Sequence, residues 1–143
     1  MDPKRILVVD DDRSIRELLR LRLLSAGYDV VLAEDALAAG RILAAGHVDL
    51  MIVDALMPHV SGIDFVANLV ADPSFPRVPA IFITGREDLK EHAESLGSAC
   101  LVKPFLANRL LELVERVLRS QDRIGQAHGS EPASAAWEAT QPV

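Results

Sequence analysis

The chain has 143 residues, half of them hydrophobic but only 4% aromatic, and a net charge of −6. A single domain of that length can hold a core of Leu, Val, Ile and Ala, and its acidity argues against nucleic acid as the main partner. One cysteine, no signal peptide and no apolar run of bilayer length point to a cytoplasmic protein without disulfides or membrane contact.

Ile6–Val9 is a short buried-strand pattern that ends in Asp10-Asp11-Asp12. A helix follows, with Ile15, Leu18, Leu19, Leu23 and Ala26 at helical spacing and Arg16, Glu17, Arg20 and Arg22 between them. It is capped either by Asp12 or by a Ser14–Glu17 capping box, and Gly27 closes it. Tyr28–Ala33 is a second strand, polar near its start as an edge strand allows. Asp35 can cap the next helix, which passes through Leu37, Ile42 and Leu43 to Gly46.

Val48–Gly62 then reads VDLMIVD-ALMP-HVSG. Its consecutive apolar run suits a parallel strand covered on both faces, with Asp54 at the carboxyl end. Ser61-Gly62 opens a third helix through Ile63, Phe65, Val66 and Leu69, and Asp72–Pro76 breaks it. Val78–Ile83 is a fourth strand ending at Thr84-Gly85. The helix after it, about 87–96, has only Leu89, Ala93 and Leu96 as an apolar stripe and so reads as a movable part. Ala99–Val102 is the fifth strand and delivers Lys103-Pro104-Phe105. The last helix carries Leu106, Leu110, Leu113, Val114, Val117 and Leu118, with Asn108 as its available cap. The pattern stops near Ser120, so the domain spans 1–120, and 121–143 is a tail rich in Ala, Ser, Pro and Gly. That tail is either flexible or holds a short helix near Ala133–Ala139 that docks Trp137.

Five alternations of strand and helix describe an α/β fold, a doubly wound parallel sheet. All carboxyl ends of such a sheet lie along one edge, where Asp10, Asp11, Asp54, Thr84 and Lys103 converge. Carboxylates about 6 Å apart repel by roughly 3 kcal/mol per pair at an effective dielectric near 20. Lys103 offsets part of that, and a cation with oxygen ligands, Mg²⁺, offsets the rest. The same arrangement suits phosphoryl transfer to a carboxylate, with Thr84, Lys103 and the N–H groups of Ala55 and Gly85 placed to hold phosphoryl oxygens.

The acid pair Asp10-Asp11, Asp54-x-x-Met57-Pro58-x-x-Ser61-Gly62, Thr84-Gly85 and Lys103-Pro104-Phe105, in this order over about 4–120, resemble the receiver domain of two-component response regulators. The resemblance implies a flavodoxin-like (βα)5 fold with strand order 2-1-3-4-5. It implies that Asp54 takes a phosphoryl group from a sensor histidine kinase, and that Asp11, Asp54 and the Leu56 carbonyl bind Mg²⁺, with Asp10 acting through water. Lys103 matches the phosphoryl-binding lysine, preceding a cis proline bond, and Thr84 the switch hydroxyl. Cys100 stands where the family usually has Tyr or Phe, and a thiol is too small to act as that lever. Two positions variable in the family, Leu56 and Arg86, suggest slow loss of the phosphoryl group, with Leu56 restricting water and Arg86 reaching over the pocket.

The expected role is that of a stand-alone phosphoacceptor, not a turnover enzyme. Its output is a protein contact through the fourth helix, fifth strand and last helix (a homodimer included) or relay to a histidine phosphotransfer protein. Two rival readings also fit the residues. Asp10-x-Asp12-x-Ser14 fits a haloacid dehalogenase-like phosphatase with Asp10 as nucleophile, and a receiver fold can also serve only for docking.

Overall fold

The computed structural model describes residues 2–130. Five parallel strands, β1 (Arg5–Val9), β2 (Asp29–Ala33), β3 (Leu50–Asp54), β4 (Ala80–Thr84) and β5 (Ala99–Val102), form one sheet in the order β2-β1-β3-β4-β5. Between and after them run α1 (Arg13–Ser25), α2 (Ala36–Ala45), α3 (Gly62–Ala71), α4 (Lys90–Leu96) and α5 (Ala107–Ser130). The doubly wound reading and its strand order therefore hold.

The central strands are apolar at every position because each face of the sheet has its own helical layer. Ile6, Val8, Leu50, Ile52, Ile81, Ile83 and Leu101 pack against Leu19 and Leu23 of α1 and the inner face of α5. Leu7, Val9, Met51, Val53, Phe82 and Cys100 pack against α2, α3 and α4. Full burial of a large aliphatic side chain stabilises by about 1.5–3 kcal/mol, so β1, β3 and β4 form a stiff platform for whatever their tips carry.

Local chemistry explains the helix starts. Asp12, not Ser14, caps α1, its carboxylate accepting the N–H groups of Ser14 at 2.9 Å and Ile15 at 3.4 Å. Asp35 caps α2 and Ser61 caps α3 in the same way. Leu106, rather than Asn108, occupies the capping position of α5: its carbonyl accepts the Arg109 and Leu110 N–H groups, and Asn108 lies within the first turn.

Several boundaries differ from the pattern. Leu18 is 48% exposed because the inward line of α1 is Ile15–Leu19–Leu23, and one residue turns the helix by about 100°. β4 begins at Ala80, two residues after Val78, since Pro79 has no N–H for a ladder. Helix α5 runs to Ser130 instead of ending near Ser120, because its next proline is Pro132 and nothing earlier forbids helix. The 121–143 segment is thus helical at its start, and Ala133–Ala139 with Trp137 lies outside the described residues.

Helix α4 is thinly anchored, as its charge predicts. Ala93 is its one buried residue, Leu89 and Leu96 lean on the core, and a 3-10 turn over Glu87–Leu89 precedes it.

Candidate functional site

Register puts the strand tips level. Val9 pairs with Val53, Asp54 with Ile83, and Thr84 with Val102, so Asp10, Asp54, Thr84 and Lys103 follow one another along the carboxyl edge. Asp10, Asp11 and Asp54 each offer an oxygen within 4.8 Å of the others. Lys103 Nζ stands 3.9 Å from Asp54 Oδ2, and the Lys103–Pro104 bond is cis.

Each group is held by its neighbours. Asp10 is fully buried: its N–H donates to the Ala33 carbonyl at 3.1 Å and its Oδ1 accepts the Asp12 N–H at 2.9 Å. Its Oδ2 is buried with no hydrogen-bond partner. Asp54 Oδ1 accepts the N–H of Leu56 at 3.2 Å. Thr84, almost wholly buried, accepts the Arg86 N–H on Oγ1 at 3.0 Å, leaving its own hydroxyl proton to donate.

Electrostatics reflect this crowding. Burial above all pushes the Asp10 carboxyl up to about 6; the Asp12 N–H opposes it, and the charge of Asp54 adds to it. Burial likewise raises Asp54, against the Leu56 N–H and Lys103. A donor set made only of carboxylate oxygens, one of them orphaned inside the protein, fits a hard divalent cation such as Mg²⁺.

The loop after Asp54 is shaped by close approach. The Gly62 N–H donates to the Ala55 carbonyl at 3.0 Å, and a Cβ added at Gly62 would lie 1.9 Å from the Asp54 carbonyl oxygen. Gly62→Ala must therefore push α3 or Asp54 away. A loss of about 3 kcal/mol in urea unfolding is expected, whereas a stability equal to the parent's would refute this tight packing.

The structure redistributes some of the predicted roles. Ala55 cannot assist as expected: it is buried and its N–H is committed to the Ile83 carbonyl at 2.8 Å. The Leu56 N–H, one residue further, points to the acidic group instead. Gly85 directly follows Thr84 on the exposed side. Arg86 does not reach over the pocket, for its guanidinium forks onto Asp88 at 3.1 and 2.5 Å. Leu56, whose N–H donates to Asp54, is 43% exposed, and His59 further along the same loop has a positive φ of 71°. Cys100 is buried opposite Phe82, and burial raises its thiol, as befits a small packing residue. Sequence reasoning missed Arg16, whose Nη1 donates to the Asp10 carbonyl at 2.7 Å. Its helical position alone could not distinguish it from Arg20.

A family model described as the response regulator receiver domain matches residues 6–115. Response regulator MprA of Mycobacterium sp. strain KMS is 35% identical over 120 residues, which are 82% of this chain and 51% of that protein. The DNA-binding dual master transcriptional regulator RpaA of Synechocystis sp. is 32% identical over 126 residues, 86% of this chain and 52% of that one. The chain thus spans about half the length of the curated relatives it matches. Among solved structures, response regulator TrrA from Thermotoga maritima in complex with Mg²⁺ and BeF superposes with a TM-score of 0.72 at 32% identity, covering 79% of this chain and 97% of that one. Chemotaxis protein CheY4 of Vibrio cholerae gives 0.72 at 30% identity, covering 80% and 98%.

Proposed function

Because this chain belongs to the response regulator receiver domain family, we propose that Asp54 accepts a phosphoryl group from a phosphohistidine of a sensor kinase or histidine phosphotransfer protein. The observation that carries this is Asp54 itself, flanked by two carboxylates on one side and an ammonium on the other. An Asp54 oxygen forms the new bond to phosphorus, the P–N bond of the donor breaks, and the imidazole leaves with a proton from solvent. Asp11, Asp54 and the Leu56 carbonyl would hold Mg²⁺, with Asp10 behind them; when bound, it supplies charge neutralisation for carboxylates and phosphoryl oxygens. Lys103 receives one phosphoryl oxygen, the Thr84 hydroxyl a second, and the N–H groups of Leu56 and Gly85 lie beside them. Leu56 stands where it can limit access of water to the product.

The chain acts as a switch rather than a turnover enzyme. New charge at Asp54 draws on Thr84 and so on the β4–α4 connection, where α4 has little to hold it. The surface of α4, β5 and α5 is then read by a protein target, a second copy of the chain included. DNA binding is named for RpaA, of which the matched region covers 52%. With a net charge of −6, this chain itself is suited to protein contacts.

Intact-mass analysis after incubation with acetyl phosphate and Mg²⁺ tests the reading. The parent gains one phosphoryl group and Asp54→Asn gains none. A phosphatase acting through Asp10 would be modified in Asp54→Asn and silent in Asp10→Asn.

A further inference from the structure

The β1–α1 connection is fixed from both sides. The Asp10 N–H is tied to Ala33 of β2, and the Asp10 carbonyl takes the Arg16 guanidinium at 2.7 Å. That carbonyl shares a rigid peptide plane with the N–H of Asp11. A donor on it therefore sets both the backbone angle leaving Asp10 and the angle entering Asp11, and with them the aim of two carboxylates. Arg16 is half-buried, with a main-chain N–H that donates to the Asp12 carbonyl at 3.0 Å, so its side chain starts from the first turns of α1 and reaches back over the loop. The first turn of α1 carries no acid, and Arg20 pairs with Glu17 instead. Arg16 thus spends its charge on the acidic loop, and on a carbonyl rather than a carboxylate.

We infer that Arg16 is a positioning residue: it locks the Asp10–Asp11 peptide so that both carboxylates are preset for a divalent cation. This rests on the function proposed above for the cation, but its geometry also has a consequence without metal. The hydrogen bond from the Asp12 N–H to Asp10 Oδ1 closes the same loop, and it should open more often once Arg16 is gone.

The test measures Mg²⁺ binding by calorimetry and metal-free amide hydrogen exchange in the parent, Arg16→Ala and Arg16→Lys. Removing an outer-shell partner of a metal ligand weakens affinity by about 10–100-fold. In Arg16→Ala, a loss of about 10-fold in Mg²⁺ affinity is expected, with exchange at Asp12 about 10-fold faster and at Val8 unchanged. Arg16→Lys, which keeps a charged donor, should recover most of both. If Arg16→Ala does not fold, Arg16→Met, which keeps the apolar stem and removes the donor, takes its place, with the same two losses expected and parental values overturning the inference. Parental affinity and parental Asp12 exchange in Arg16→Ala would overturn the inference, as would equal acceleration at Asp12 and Val8, which marks general loosening. A parent that binds no Mg²⁺ would instead defeat the proposed function, and Asp12 exchange alone would then decide the role of Arg16.

Discussion

Asp10→Asn should stabilise the metal-free protein at pH 7.5 by about 3 kcal/mol, raising its melting temperature by about 10 °C. The cause is the fully buried carboxyl whose titration rises from 3.8 to about 6 on folding, mainly through burial. Between those values the folded chain holds a proton that the unfolded chain has released. Stability is therefore highest below pH 4 for this group and is lost as pH rises through 6. Asp54, also raised by burial, adds to the same trend. Asp49 runs the other way, its burial outweighed by the Arg5 N–H and His47, but a lowered carboxyl acts below the window in question. Metal-free parent should thus unfold at higher urea at pH 5.5 than at pH 7.5, and saturating Mg²⁺ should abolish or invert that difference. Asp10→Asn should flatten the metal-free profile. A parent equally stable at both pH values, with no gain in Asp10→Asn, would show that Asp10 carries no such cost.

The second large effect concerns Lys103. Replacing it by Ala should slow phosphorylation of Asp54 by acetyl phosphate about 100–1,000-fold, since a preorganised cation acts where charge accumulates in the transition state. The folded protein should suffer far less. At 3.9 Å and an effective dielectric of 20 the attraction to Asp54 is about 4 kcal/mol. Because Lys103 remains 32% exposed, solvent screening leaves a loss of about 1–2 kcal/mol. Rate and stability are thus separable: a Lys103→Ala variant that folds yet is phosphorylated at the parental rate would remove Lys103 from the chemistry.

Much of the fold was legible because its signals are local. Consecutive apolar runs marked β1, β3 and β4, and Asp35 and Ser61 announced helix starts, while for α1 the choice between Asp12 and Ser14 stayed open until packing decided it. The convergence of Asp10, Asp54, Thr84 and Lys103 followed from one topological fact, that parallel strands end on the same edge. What escaped was whatever depends on which of several partners a group selects in space. The Ala55 N–H chooses the ladder to Ile83, Arg86 chooses Asp88 over the pocket, and Arg16 bends back to a carbonyl. In each case residue type permits two bonds, and only packing decides between them. The end of α5 escaped for a different reason: polar, Gly-containing sequence after Ser120 weakens a helix without forbidding it.

An amide NMR titration of the protein with beryllofluoride and Mg²⁺ bears most directly on the central claim that these strand tips form one phosphoryl-binding pocket. Resonances of Leu56, Thr84, Gly85 and Lys103 should shift together, with those of α4 following, and Asp54→Asn should erase the response. Shifts confined to Asp10–Asp12, or a response that survives in Asp54→Asn, would contradict it.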